Sequence, residues 1–224
     1  MVRARLRNVA AIAVRFGWEG AAELAVELRS LARETDNKSS FDALRGLEGQ
    51  GAARAWASLA ASLPEEWGFS GRARRPPPDP VNAMLSFGYT LLHNHCATAL
   101  VEAGLDPRIG LYHEQHGAHF ALASDLQEEM RHLVESLVWT LVRRRQLTPD
   151  DFGPSPDGSY PALLRPEGRR TFLHAFEQRL VTEFTPDGED KPISYRTFLL
   201  RQARQIRDLV RGTRPHYEPL VLRT

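Results

Sequence analysis

Apolar residues recur every three to four positions along most of this chain, and no stretch sustains the strict alternation of a half-buried strand. That period predicts helices over roughly 4–15, 20–34, 42–63, 80–103, 125–146, 168–183 and 194–212. The most regular is 125–146, where Leu126, Met130, Leu133, Val134, Leu137, Val138, Leu141 and Val142 make one broad apolar face. Asp125, Glu128 and His132 share its opposite side. Residues 34–40 (ETDNKSS) read as a polar connector. Residues 72–80 (RARRPPPDP) read as a stiff basic link, with Asp79-Pro80 opening the next helix. Residues 150–166 are rich in Gly, Pro, Ser and Asp, so a short hairpin around 155–166 fits better than a helix. The expectation is an all-α fold: one multi-helix domain over 1–224, with sub-lobes of about 1–78 and 79–224 joined by the proline-rich link.

Composition changes this picture little. Charged residues make up 25% and hydrophobic residues 42%, ordinary for a globular domain with a sizeable core. Lys and Arg total 29 against 28 acids, so the net charge of +1 points to no partner. The distribution says more. From Tyr195 to Thr224 seven arginines face only Asp208 and Glu218, a basic tail that suits a polyanion or simply a solvated face. Within it, Arg204, Arg207, Arg211 and Arg214 form a stripe opposite Leu199, Ala203, Ile206, Leu209 and Val210. Cys96 is the one cysteine, which excludes a disulfide framework and makes a reducing, cytoplasmic compartment the expectation. The apolar run at 9–14 is too short for a signal core, and no stretch suits a membrane span.

Three residues from separated segments suit a divalent cation: Glu48, His113 and Glu128. Glu48 lies inside the apolar arc made by Leu44, Ala52, Ala55, Trp56, Leu59 and Leu63. A carboxylate buried there costs several kcal/mol unless it is paired, protonated or metal-bound. A pair with Arg45 or Arg54 is the bland account. Gly46, Gly49 and Gly51 around it allow a second backbone or a substrate to come close. Asp125 and Glu128, one turn apart near a helix start, also complement the helix dipole, and a His before a turn is often merely exposed. HEQH at 113–116 is no zinc-protease motif, because its histidines are three apart where one helical face needs four.

The surrounding segments settle the weighting. LRGLEGQGAARAW, GLDPRIGLYH and FALASDLQEEMR resemble the CRISPR-associated integrase family, the metal-dependent DNA endonuclease of spacer acquisition. DPVNAMLSFGYTLLHNHC is similar to that family's central helix, with Asn82 and Tyr89 as its polar, supporting members. The likeness covers nearly all 224 residues, as the helical carboxy-terminal domain; the family's amino-terminal β domain is not expected within this chain.

The resemblance implies Glu48, His113 and Glu128 as ligands to Mg²⁺ or Mn²⁺, with Asp125 as the supporting acid of the catalytic set. It implies 3′-hydroxyl ends of a short DNA attacking phosphodiesters of a repeat array, with no covalent side-chain nucleophile. Arg54, Arg131, Arg204, Arg207 and Arg211 are the candidate DNA contacts, while His116 and His119 stand where relatives often carry arginine. Prespacer and repeat DNA, the small adaptation partner protein, and a homodimer in full-length form are the implied partners. Two other readings stay open: a helical nucleic-acid-binding or assembly module without catalysis, and a related transposon integrase.

Overall fold

In the computed structural model, which describes residues 1–73, 75–114, 119–186 and 189–222, eight helices carry the fold. Helix α1 (Val2–Phe16) folds back on α2 (Ala21–Glu34) through a four-residue turn. Gly17 and Gly20 hold that turn at φ of 63° and 65°, where a side chain would be strained. Helix α3 (Phe41–Ser62) starts at Ser40, whose hydroxyl accepts from the Ala43 N–H, and packs across α1 and α2. Helix α4 (Pro80–Glu102) starts as expected: Asp79 accepts from the Asn82 N–H, and Pro80 takes the first helical position.

The predicted helix over 125–146 is two helices, α5 (Ala121–Met130) and α6 (His132–Arg143). The break coincides with competition for one backbone carbonyl. The Glu129 carbonyl, which a continuous helix would use internally, is taken by His132 Nδ1 at 2.9 Å and by Asn8 Nδ2 at 3.0 Å. The polar side of this segment is not a solvent face either. Asp125, Glu128, Glu129, His132 and Glu135 are all buried, because α1 covers the side that the apolar stripe leaves free.

Past α6 the chain forms a two-residue ribbon, β1 (Phe152–Gly153) against β2 (Leu163–Leu164), so the hairpin expected around 155–166 exists, shifted two to three residues toward the amino terminus. Helix α7 (Pro166–Val181) follows. A second ribbon, β3 (Glu183–Phe184) with β4 (Ile193–Ser194), was not legible in the sequence. Helix α8 (Tyr195–Val210) stops at Val210, so Arg211 is its cap and Arg214 lies beyond the helix. The predicted four-arginine stripe therefore shrinks to Arg204 and Arg207 on the helix proper. The chain end then returns over the core: the Asn8 side-chain amide donates to the Leu220 carbonyl, and the Leu222 N–H donates to Asn8 Oδ1.

Two glycines permit the close approaches that bring these layers together. A Cβ on Gly51 would run into Leu6 and Leu28, which explains that glycine by packing against α1 and α2. Gly46 and Gly49 have open space around them. On α4, a Cβ at Gly88 would lie 2.6 Å from Val134 Cγ1 and 3.1 Å from Phe172 Cζ. Gly88→Val should therefore lower stability by about 1–3 kcal/mol through overpacking, outweighing its gain in helix propensity. A melting temperature equal to the parent's would contradict this packing.

Candidate metal centre

Asp125 organises the site. It is fully buried on α5, and its carboxylate collects the loop that carries His113. Oδ2 accepts the Leu111 N–H at 2.6 Å and the Tyr112 N–H at 3.0 Å; Oδ1 accepts the His113 N–H at 2.9 Å. Oδ1 also meets His113 Nδ1 at 2.7 Å. A carboxylate oxygen already loaded with a backbone donor accepts here, so Nδ1 carries a proton, and in the neutral ring Nε2 keeps its lone pair. This bond to Asp125 raises the His113 pKa above its ordinary value despite burial. Asp125 thus has no oxygen left idle, and its place is behind the imidazole.

Glu48 arrives from α3. The Tyr112 hydroxyl donates to its Oε2 at 3.0 Å, tying α3 to the His113 loop. The arginine pair that the sequence allowed does not form: Arg45 turns to Asp42 and Glu114, and Arg54 to Glu27. Burial and the negative charge of Glu128 push the Glu48 pKa up. Glu128, one turn beyond Asp125, is 3% exposed. Arg131 Nη1 donates to its Oε1 at 2.8 Å, and Arg5 Nε stands 3.7 Å from Oε2. Burial alone would raise its pKa; the two arginines outweigh that and hold it below the ordinary value. Its Oε2 accepts no hydrogen bond from the described residues.

Glu48, Glu128 and His113 are thus electrostatic neighbours, each carboxylate raising the His113 pKa and Glu128 raising that of Glu48. They do not form a closed shell: among the described residues, no three His, Cys, Asp or Glu side chains converge as a ready-made cation site. The donor set nonetheless fits a hard divalent ion. It offers two mutually repelling carboxylates, a buried oxygen without a donor, and an imidazole whose outer nitrogen is held by an acid. The Met1 amino group is drawn into the same field. Burial lowers its pKa, while Glu129, Asp125, Glu128 and Glu48 raise it. A cleft of about 330 Å³, lined by Arg45, His113, Glu114 and His119, opens over the imidazole.

The sequence pattern described as CRISPR associated protein Cas1 matches residues 1–178. The chain belongs to the Cas1 family. CRISPR-associated endonuclease Cas1 3 of Thermus thermophilus is 40% identical over 208 residues, which make up 92% of this chain and 60% of that protein. The chain thus spans about 60% of the length of this curated relative, and the part it matches is the helical Cas1 carboxy-terminal domain. A chain of the partial Cas6-RT-Cas1–Cas2 complex superposes with a TM-score of 0.85 at 30% identity, over 99% of this chain and 66% of that one. A casposase bound to integration product superposes with a TM-score of 0.82 at 23% identity, over 97% of this chain and 60% of that one, a likeness of fold alone. No helix among the described residues is long and apolar enough to cross a membrane.

Within this Cas1-family domain the remaining candidates fall in different places. Arg131 is nearly buried, with its guanidinium 4.2 Å over the Tyr89 ring, so it serves Glu128 and is not the free surface cation a phosphate contact from solvent requires. Tyr89 is buried and donates to Glu135 Oε1 at 2.7 Å. Asn82 is also buried: its amide bonds Gly71, Asp79, Arg72 and Ala73, anchoring the loop before α4. Arg54 and Arg204 are exposed, Arg207 pairs with Asp208, and Arg211 is exposed at the helix end. His119 stacks on His93 at 5.6 Å, while His116 lies outside the described residues.

Sequence reasoning missed Arg5, Tyr112, Glu129 and Glu135. Arg5 is buried on α1 with Nη2 2.5 Å from Glu135 Oε1, so it bridges Glu135 and Glu128. Its signal was available: it interrupts the apolar arc of Val2, Leu6 and Val9, as Glu48 interrupts that of α3. Glu129 accepts from the Tyr217 hydroxyl at 2.6 Å, the Leu220 N–H at 3.0 Å and Gln202 Nε2 at 3.1 Å. Burial pushes its carboxyl up to about 7 even against those donors. Nothing local in the sequence separates its role from that of its neighbour Glu128.

Proposed function

We propose that this domain is the catalytic part of a divalent-metal-dependent DNA endonuclease and integrase of CRISPR spacer acquisition. In this reading, 3′-hydroxyl ends of a prespacer attack phosphodiesters of the repeat array. The observation that carries it is the Asp125–His113 couple set beside Glu48 and Glu128 on a chain of the Cas1 family. Glu48, His113 Nε2 and Glu128 would hold Mg²⁺ or Mn²⁺, whose chemistry when bound is Lewis-acid polarisation of the scissile phosphate.

The chain's own residues do the positioning. Asp125 fixes the imidazole through Nδ1, so that its other nitrogen points away from the acid. The Tyr112 hydroxyl restrains Glu48, and Arg131 with Arg5 keeps Glu128 ionised. Glu48 comes from one side of the proline-rich link, His113 and Glu128 from the other, which supports reading 1–224 as one catalytic unit. The Cas1–Cas2 complex among the structural relatives supports a Cas2-type partner for the assembly.

The direct test is thermal melting in a Mn²⁺ series. The parent should gain roughly 2–3 kcal/mol of stability at a hundredfold excess over Kd. Glu48→Gln should lose most of that gain. The gain should also shrink as the pH falls through the His113 pKa, which lies above its ordinary 6.5, because a proton and the ion compete for Nε2. No Mn²⁺ response in the parent would remove the metal from this site.

A further inference from the structure

Helix α1 carries arginines on two opposite sides. Arg5 faces the buried carboxylates; Arg3 and Arg7, each two residues away and so on the other side of the helix, are exposed. Across from them α2 presents Arg29 and Arg33, again one turn apart. The four guanidinium-bearing side chains, with Ala32, line a groove of about 250 Å³ between the two helices. Arg3 alone is neutralised there, by Asp36 at 3.0 Å. Among the described residues no carboxylate pairs with Arg7, Arg29 or Arg33, so three of the four groove arginines face the cavity without an ion-pair partner.

The groove does not stand alone. Arg7 also lines a second cleft, of about 490 Å³, whose wall includes Arg201, Gln205 and Arg214. Arg201 pairs with Glu189 and Arg214 with Glu218, so the unneutralised charge lies at the α1–α2 end. Three unpaired guanidinium groups within one groove repel one another. That arrangement costs stability in the free protein and suits an extended anion that threads between them.

We infer that the α1–α2 groove, with its Arg7 extension toward α8, binds the phosphodiester backbone of a DNA segment that is not being cut. It lies on the side of α1 opposite the carboxylates, so it holds DNA at a distance from the reacting phosphate and reads no sequence. The choice of DNA over another polyanion rests on the function proposed above; the groove itself does not involve the metal-type ligands.

The test is equilibrium binding of a short labelled duplex in EDTA between about 50 and 200 mM salt, where each neutralised phosphate contributes about 0.9 to the log–log slope. R7Q/R29Q/R33Q should lower that slope by about 2–3 and weaken binding at low salt by at least roughly tenfold. R144Q/R170Q/R196Q removes the same charge from exposed positions elsewhere and should leave the slope unchanged. If the groove triple does not fold, R7Q and R33Q singly should each lower the slope by about 1. An unchanged slope overturns the inference, as does an equal fall in the control triple, which would reduce the effect to net charge. Because EDTA removes any ion, this outcome is independent of the Mn²⁺ melting series: the groove can fail while the metal reading stands, and the reverse.

Discussion

Glu48→Ala and His113→Ala should each abolish Mn²⁺-dependent cleavage of branched DNA while leaving the melting temperature close to the parent's. The two effects separate because these side chains add little to the fold. Glu48 is half-buried, held by one hydroxyl, and destabilised by the charge of Glu128. Removing it relieves a repulsion as well as losing a bond. His113 is one-third exposed, and the Leu111, Tyr112 and His113 N–H groups still bond Asp125 when its ring is gone. Losing a ligand, by contrast, forfeits several kcal/mol of transition-state stabilisation, and about 4 kcal/mol corresponds to roughly a thousandfold in rate. The measurement is single-turnover cleavage of a labelled branched duplex, with melting by fluorescence on the same preparations. Rates within tenfold of the parent in either variant would sink the site assignment.

Arg5→Met should be the most damaging single change to stability, although Arg5 touches no expected ligand closer than 3.7 Å. Arg5 offsets two buried carboxylates, Glu135 at 2.5 Å and Glu128 beyond it. Taking away one partner of a buried pair leaves charge in low dielectric at a cost of about 3–5 kcal/mol. At roughly 2–4 °C per kcal/mol for a chain of this length, the melting temperature should drop on the order of 10 °C.

Arg5 also holds the Glu135 pKa below its ordinary value against burial. A depressed carboxylate contributes stability above its unfolded pKa and loses it as pH falls through the folded one. The deficit of Arg5→Met should therefore be largest near neutral pH and narrow in acid, where Glu135 takes up a proton. Arg5→Met/Glu135→Leu should recover much of the loss, since it removes the stranded charge. Denaturant midpoints across pH would decide it: a deficit that is flat with pH, and no recovery in the double variant, would mean Arg5 acts by packing alone.

The helical character, the Asp79-Pro80 start and the segments holding Glu48, His113 and Glu128 were all legible along the chain, because each is encoded by neighbours within one or two turns. The division of α5 from α6 was not. Its apolar stripe runs unbroken through Arg131, and the interruption comes from Asn8, more than a hundred residues away, and from the rotamer of His132. The burial of that segment's polar side was hidden for the same reason: periodicity identifies one apolar face, but only the position of α1 decides whether the other meets water.

The sequence by itself determined the helical character and the family resemblance, and it singled out Glu48, His113 and Glu128 as the expected ligands. The tertiary structure decided what surrounds them. It showed how Asp125, expected as a supporting acid, anchors the His113 loop, made Arg131, a candidate DNA contact, a largely buried partner of Glu128, and brought Arg5 opposite both Glu128 and Glu135. Charges act through space and burial, and neither distance nor solvent access is written in the order of residues.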